Sequence, residues 1–309
     1  GTLRISTLEM QPLALYESGD SNGSVSLADL FDNPTKQSQT FNCNLKYEDY
    51  AYLTCRGGWP GIFEINDKQD QLLLAEDLYH QTLKAVINNA YKSCNNSYSA
   101  KLLLKSYAIH LCTLASNNTI YDDITETKNT KKIKKYIRAL NKLCIIHDVE
   151  SWNPNIKSKF SIRLHDKRNF TDPSIVVAIM EKNPDYLIKN PRIFGLLFEC
   201  MVIRDLRVYG GLNNDIYYYR DRDGLECDAI LELKDGRYAL IEVKLGGEAV
   251  FDGVKNLQRL EELLIKYNKN DKNKRKLPLP TLKIIITAEE KGFNLGNNTF
   301  IIPLGCLKD

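Results

Sequence analysis

The sequence predicts an α+β chain, a helical half followed by a half built on a mixed sheet. Three observations predict it. Between Lys68 and Leu143 apolar residues recur mainly at spacings of three and four, the period of helices with one buried face. From Asn169 onward the order becomes helix, three strands in succession, helix and strand. The 309 residues are 43% hydrophobic and 26% charged, the balance of a folded chain of roughly two domains.

Residues 1–63 lack sustained periodicity. Short apolar pieces precede a Gly/Ser/Asn-rich passage, Glu17 to Ser24, and a short helical segment, Leu27 to Phe31. The turn cluster Arg56-Gly-Gly-Trp-Pro60 follows. Such a stretch does not bury a core by itself and is expected to be the tail of a domain that begins upstream. The opening residue, Gly rather than Met, agrees with that expectation. A helical segment occupies 64–97, with its apolar stripe from Lys68 to Tyr91. Residues 98–168 supply a helix from Ala100 to Ser116, a short one near Asp122, and a longer one from Lys131 to Leu143. Two extended pieces follow, Cys144 to Val149 and Phe160 to Leu164. Three helices and a hairpin are the outline of a winged helix-turn-helix. Residues 169–309 begin the last module, with a helix from Arg192 to Tyr209. Strands at Ile216–Tyr219, Gly224–Leu233 and Arg237–Val243 come next, then a helix from Val250 to Tyr267 and a strand from Leu282 to Thr287.

The segment from Gly224 to Gly247 carries the chemistry. Read as two antiparallel strands joined at Lys234-Asp-Gly236, it sets 233 against 237 and therefore Asp228 opposite Glu242. Alternation then places Glu226, Asp228 and Ile230 on one face, beside Leu240, Glu242 and Lys244. Ala229, Leu231, Ile241 and Val243 form an apolar opposite face suited to a helix. Two facing carboxylates repel, and a divalent cation compensates them. Mg²⁺ held by Asp228 and Glu242 is the arrangement that prepares phosphodiester chemistry, with Lys244 orienting water or neutralising developing charge. A solvated strand face bearing a Glu–Lys pair is the plainer alternative.

This arrangement resembles the PD-(D/E)xK nuclease-like fold, in which the preceding helix usually offers another carboxylate; Glu199 stands in that place. The resemblance extends over nearly the whole chain. The segment from Leu3 to Gly19 looks like the end of the ATPase core in a prokaryotic AAA-type ATPase family whose members carry a C-terminal nuclease-like domain of unknown function. Gly57-Gly-Trp-Pro60, Tyr136-Ile-Arg-Ala-Leu140, Thr171-Asp-Pro173, Phe194 to Glu199, Tyr219-Arg-Asp221, Glu226-Cys-Asp228, Ile241 to Gly246 and Pro303-Leu-Gly-Cys306 follow in that family's order. The resemblance implies a remnant of the ATPase core at 1–63, a helical lid at 64–97, a winged helix-turn-helix at 98–168 and a nuclease-like α/β domain at 169–309. No G-x-x-x-x-G-K-[ST] occurs, so ATP belongs to the upstream domain and this chain is not expected to hydrolyse it.

Six basic residues between Lys128 and Arg138 mark the third helix of the winged unit as the place for phosphate contacts, through Lys131, Lys132, Lys134, Lys135 and Arg138. Arg220 and Arg222 precede the acidic motif and are further candidates. A net charge of +3 excludes a strongly basic packaging protein. The eight cysteines are scattered without a C-x-x-C pair, and the four histidines form no ligand set or triad. No apolar run approaches the ~20 residues of a membrane span, and the opening lacks a signal sequence. The expected location is the cytoplasm. The expected function is a nuclease-like domain that acts on or binds DNA, with Glu199, Asp228, Glu242 and Lys244 as its site. The rival is the same fold, catalytically inactive, used to bind DNA or a partner protein.

Overall fold

The computed structural model describes residues 10–90, 97–124, 130–153, 165–211, 215–270 and 276–309. A helical half and a mixed eight-stranded sheet flanked by helices confirm the α+β class. No helix among the described residues is long and apolar enough to cross a membrane.

The first elements are short and rely on the rest of the chain. Strand β1 (Val25–Ser26) leads into α1 (Leu27–Asp32), capped where the Ser26 hydroxyl accepts from Asp29 N. Strand β2 (Thr40–Asn42) precedes α2 (Tyr47–Arg56), which ends at Gly57 with φ 74°.

The helical half continues with α3 (Lys68–Ala90), α4 (Ser97–Ile109), α5 (Asn117–Asp122) and α6 (Thr130–Lys142). Helix α4 stops earlier than its apolar pattern suggested, and Cys112 beyond it adopts φ 57°. On α6, Ile133, Tyr136, Ala139 and Leu140 are buried while Lys134, Lys135 and Arg138 face solvent. The extended piece after α6 pairs with 167–171: His147 N donates to Asn169 O at 3.0 Å, and Val149 and Lys167 exchange both backbone bonds at 2.9 Å. The expected partner, Phe160 to Leu164, lies outside the described residues. Strand β3 (Glu150–Ser151) then leaves the hairpin for the sheet.

Three proline-initiated helices follow, where the apolar pattern indicated only the last. Asp172 caps α7 (Pro173–Met180), Asn183 caps α8 (Pro184–Lys189), and α9 (Pro191–Tyr209) is the long helix that crosses the sheet. After them come β4 (Asp215–Arg220), β5 (Glu226–Glu232), β6 (Tyr238–Lys244), α10 (Glu248–Lys269), β7 (Leu282–Thr287), β8 (Lys291–Gly296), β9 (Thr299–Pro303) and β10 (Leu307–Lys308).

The sheet runs in the order β2-β8-β9-β7-β6-β5-β4-β3. Its centre, β6, β7 and β9, is parallel, and the continuous Ile/Leu/Val runs there match strands covered on both faces. Phe194, Leu197 and Met201 of α9 meet Ala229, Ile241, Ile284 and Phe300 on one face. Val250, Leu257 and Leu260 of α10 meet Ile230, Leu240, Ile285 and Ile301 on the other. Residues 10–56 are woven into this half. Strand β2 extends the sheet through β8, and β1 pairs with β10.

Several of the motifs that carry the family resemblance meet around one buried ion cluster. Arg204 of α9, 1% exposed, bonds Asp172 at 3.0 Å through Nη1 and Asp205 at 2.7 Å through Nη2. Asp172 also accepts from Gly58 N at 2.9 Å and Ser174 N at 2.9 Å, and Asp205 accepts from Leu15 N at 3.1 Å. Trp59 Nε1 donates to Ser174 Oγ at 2.9 Å. A Cβ at Gly58 would stand 2.2 Å from Leu13 O, so glycine is required for this close approach.

Candidate active site

Glu199, Asp228, Glu242 and Lys244 converge. The β5–β6 register runs from Ala229 against Ile241 to Glu232 against Tyr238, and Asp228 lies just beyond its last pair. The turn fixes it: Leu233 N donates to Arg237 O at 2.8 Å, and Gly236 takes φ 87°.

One local feature departs from simple alternation. Tyr217 pairs with Ile230 whereas Tyr219 pairs with Cys227, so Asp228 and Ala229 together oppose Tyr218 in a β-bulge. Cys227 consequently joins Ile230 in the α10-side core, and Ala229 joins the α9-side core. The expected shared face of Glu226, Asp228 and Ile230 is thereby broken: Glu226 is exposed and pairs with Arg220 at 3.3 Å. Asp228 is released from the regular ladder, and its Oδ2 accepts from Val243 N of the neighbouring strand at 2.9 Å.

A fifth group completes the site, and sequence reasoning missed it. Lys167, on the hairpin that follows α6, places its ammonium against Glu199 Oε1 and 3.6 Å from Asp228 Oδ1. Lys244 reaches Glu242 Oε2 at 2.5 Å and Asp228 Oδ2 at 3.4 Å. Asp228 thus stands between two ammonium groups, and each of those also holds a second carboxylate. Asp228 is 8% exposed and Glu242 1%. No spacing in His165-Asp-Lys-Arg-Asn-Phe170 signals this role, because Lys167 and Asp228 meet only through the hairpin's docking onto the sheet.

Burial sets the protonation behaviour. It pushes Glu199 up to about 7, with Asp228 adding to the rise and Lys167 opposing it. It pushes Glu242 up to about 8, again with the Asp228 charge adding and Lys244 opposing. For Asp228 burial acts upward too, but Lys167, Lys244 and the Val243 N–H outweigh it and hold the carboxyl below its ordinary value. Both lysines stay protonated, because the carboxylates outweigh the burial that would otherwise discharge them. Glu242 Oε1 is buried with no hydrogen-bond donor among the described residues.

Mg²⁺ between Asp228 and Glu242 does not fit this arrangement. Among the described residues no three His, Cys, Asp or Glu side chains are grouped to hold a metal ion. The positive charge that the facing carboxylates demand is supplied instead by Lys167 and Lys244.

The proposed phosphate-binding residues lie elsewhere. Lys134, Lys135 and Arg138 are exposed on α6, while the side chains of Lys131 and Lys132 fall outside the described residues. Arg220 is engaged by Glu226, and Arg222 is exposed in the turn before β5. Among the histidines, His110 pairs with Asp123 at 2.9 Å, and burial pushes His147 down to about 4.

Residues 47–186, α2 to α8, match the family model of a domain of unknown function, DUF8612. No curated protein and no solved structure matches the chain. Residues 194–307 match a second domain of unknown function, DUF4143, so Glu199, Asp228, Glu242 and Lys244 lie in one matched region and Lys167 in the other.

Proposed function

We propose that the chain is the DNA-handling C-terminal region of an AAA-type ATPase, in which a PD-(D/E)xK nuclease-like core holds duplex DNA without cutting it. The observation that carries this reading is the self-neutralised cluster. Glu199, Asp228 and Glu242, the carboxylates a nuclease-like site would use, are met by two lysines of the same chain, which take the role of the cation that hydrolysis requires. The helices α4, α5 and α6 with the hairpin behind them support a winged helix-turn-helix, in which α6 is the recognition helix. Its exposed Lys134, Lys135 and Arg138 meet phosphates. The tandem motifs gathered at Arg204 support the ATPase-family reading, because residues from four separated stretches meet there.

DNA binding tests this reading. Fluorescence anisotropy on duplex DNA of unrelated sequences should give similar affinities that fall steeply with salt as counterions are released. Replacing Lys134, Lys135 and Arg138 by Ala should reduce the magnitude of the log–log salt slope by roughly 0.9 for each phosphate no longer neutralised. An unchanged slope removes α6 from the interface, and absence of binding at low salt overturns the reading.

A further inference from the structure

We propose that Cys43 and Cys306 form a peroxide-oxidisable dithiol, with Cys43 as the attacking sulfur and Cys306 as the resolving one, and that their disulfide fastens the segment carrying β2 to the C-terminal end of the chain. The inference stands apart from the DNA-binding reading and uses none of its residues.

The two cysteines come from opposite ends of the chain, and one residue bridges the backbone beside both. Cys43 follows β2, where its N–H donates to Glu290 O at 2.9 Å, and Cys306 ends the single turn Leu304–Cys306 after β9. Asn22 N donates to Gly305 O at 2.9 Å, while the Asn22 side-chain amide donates to Asn42 O at 2.8 Å. The residues preceding the two cysteines are therefore held by the same asparagine. A Cβ at Gly305 would stand 3.3 Å from Cys43 Sγ, so the sulfur lies directly against the backbone next to Cys306. The Cys43 and Cys306 thiols share a hydrogen bond, and both are free cysteines.

Their surroundings give them different roles. Tyr50 Oη accepts from Gly305 N at 2.9 Å and lies 3.7 Å from Cys43 Sγ, which leaves its own hydrogen for the sulfur. The Cys306 hydrogen bond, opposed by burial and aided by Tyr50, pushes the Cys43 thiol down to about 6. The same bond, with burial adding, pushes Cys306 up. Cys43 is thus the thiolate at neutral pH, and Cys306 keeps its proton. Cys55 and Cys200, by contrast, are pushed up to about 12 by burial. Cys43 is 6% exposed beside a three-residue strand at the edge of the sheet, and local lifting of that strand gives a small oxidant access.

The chemistry balances with hydrogen peroxide as the two-electron oxidant. The Cys43 thiolate attacks one peroxide oxygen and the O–O bond breaks. The departing hydroxide takes a proton from solvent as water, leaving Cys43 as a sulfenic acid. The Cys306 sulfur then attacks the Cys43 sulfur, the S–O bond breaks, and the hydroxyl leaves with the Cys306 proton as a second water.

Hydrogen peroxide added to the folded full chain, followed by denaturation in excess N-ethylmaleimide and peptide mapping without reductant, tests this. One bond, Cys43 to Cys306, should form in the folded chain and be undone by dithiothreitol. Cys43 should react at least about tenfold faster than Cys55 or Cys200. In Cys306→Ser, oxidation should stop at a Cys43 sulfenic acid that dimedone captures; if that variant does not fold, the wild-type map decides alone. Both thiols alkylated after peroxide, a bond from either to another cysteine, a folded Cys306→Ser that dimedone does not label, or a Cys43–Cys306 bond that forms only above the thermal transition would each overturn the proposal.

Discussion

Arg204→Met should destabilise the protein by about 3–5 kcal/mol, the loss typical when one member of a buried ion cluster is removed. The guanidinium satisfies Asp172 at 3.0 Å and Asp205 at 2.7 Å, and Asp172, Asp205 and Arg204 are all at most 1% exposed. Methionine fills much of the volume but leaves two carboxylates buried without their cation. Those carboxylates also hold Gly58, Ser174 and Leu15, so the segments they organise should loosen together. Arg204→Lys should recover part of the loss, since it restores charge but not the two-pronged geometry. Arg237→Ala is the comparison, an exposed arginine paired with Asp32 and Asp235; its removal should cost no more than about 1 kcal/mol. Urea unfolding of the three variants checks the ranking.

The acidic cluster should make stability fall as pH rises toward 8. Glu199 and Glu242, with ordinary values of 4.5, are pushed up to about 7 and about 8. The fold therefore binds their protons more tightly than the unfolded chain does. Their contribution is fully present below 4.5 and is lost as pH rises through about 7 and about 8. Asp228, held below its ordinary 3.8, acts oppositely: its contribution is present above that value and is lost on acidification. Between pH 5 and 8 the two glutamates dominate. A decline on the order of several kcal/mol follows from roughly 1.4 kcal/mol per proton for each pH unit, reduced because the clustered groups titrate together. Glu242→Gln is permanently uncharged and should flatten that decline by about half. Thermal denaturation across the pH range, wild type against variant, is the measurement.

What the sequence revealed was local or periodic. The Lys234-Asp-Gly236 turn fixed the register of β5 and β6 from Ala229 against Ile241 to Glu232 against Tyr238. Helix periodicity located α3, α6, α9 and α10. What it hid depends on distant docking. Strand β2 has three residues and exists only because β8 is there to pair with it. The bulge at Asp228 leaves no mark in a stretch that alternates normally. The partner of the piece after α6 is 167–171, chosen by closure against α9 and the sheet rather than by hydrophobic pattern. Lys167 was invisible for the same reason: as one lysine among many, it becomes part of the site only when that hairpin closes. Likewise Gly57-Gly-Trp-Pro60 and Thr171-Asp-Pro173 stood out as motifs, but their meeting at Arg204 is a tertiary fact.

The central claim is a nuclease-like core that holds DNA while its own lysines take the cation's role. A labelled duplex incubated with the wild-type chain in Mg²⁺ and in Mn²⁺, and read for both anisotropy and strand length, tests it most directly. The account predicts salt-sensitive binding with the strands intact, the same for wild type and Glu242→Ala. Metal-dependent cleavage by wild type that disappears in Glu242→Ala would contradict it.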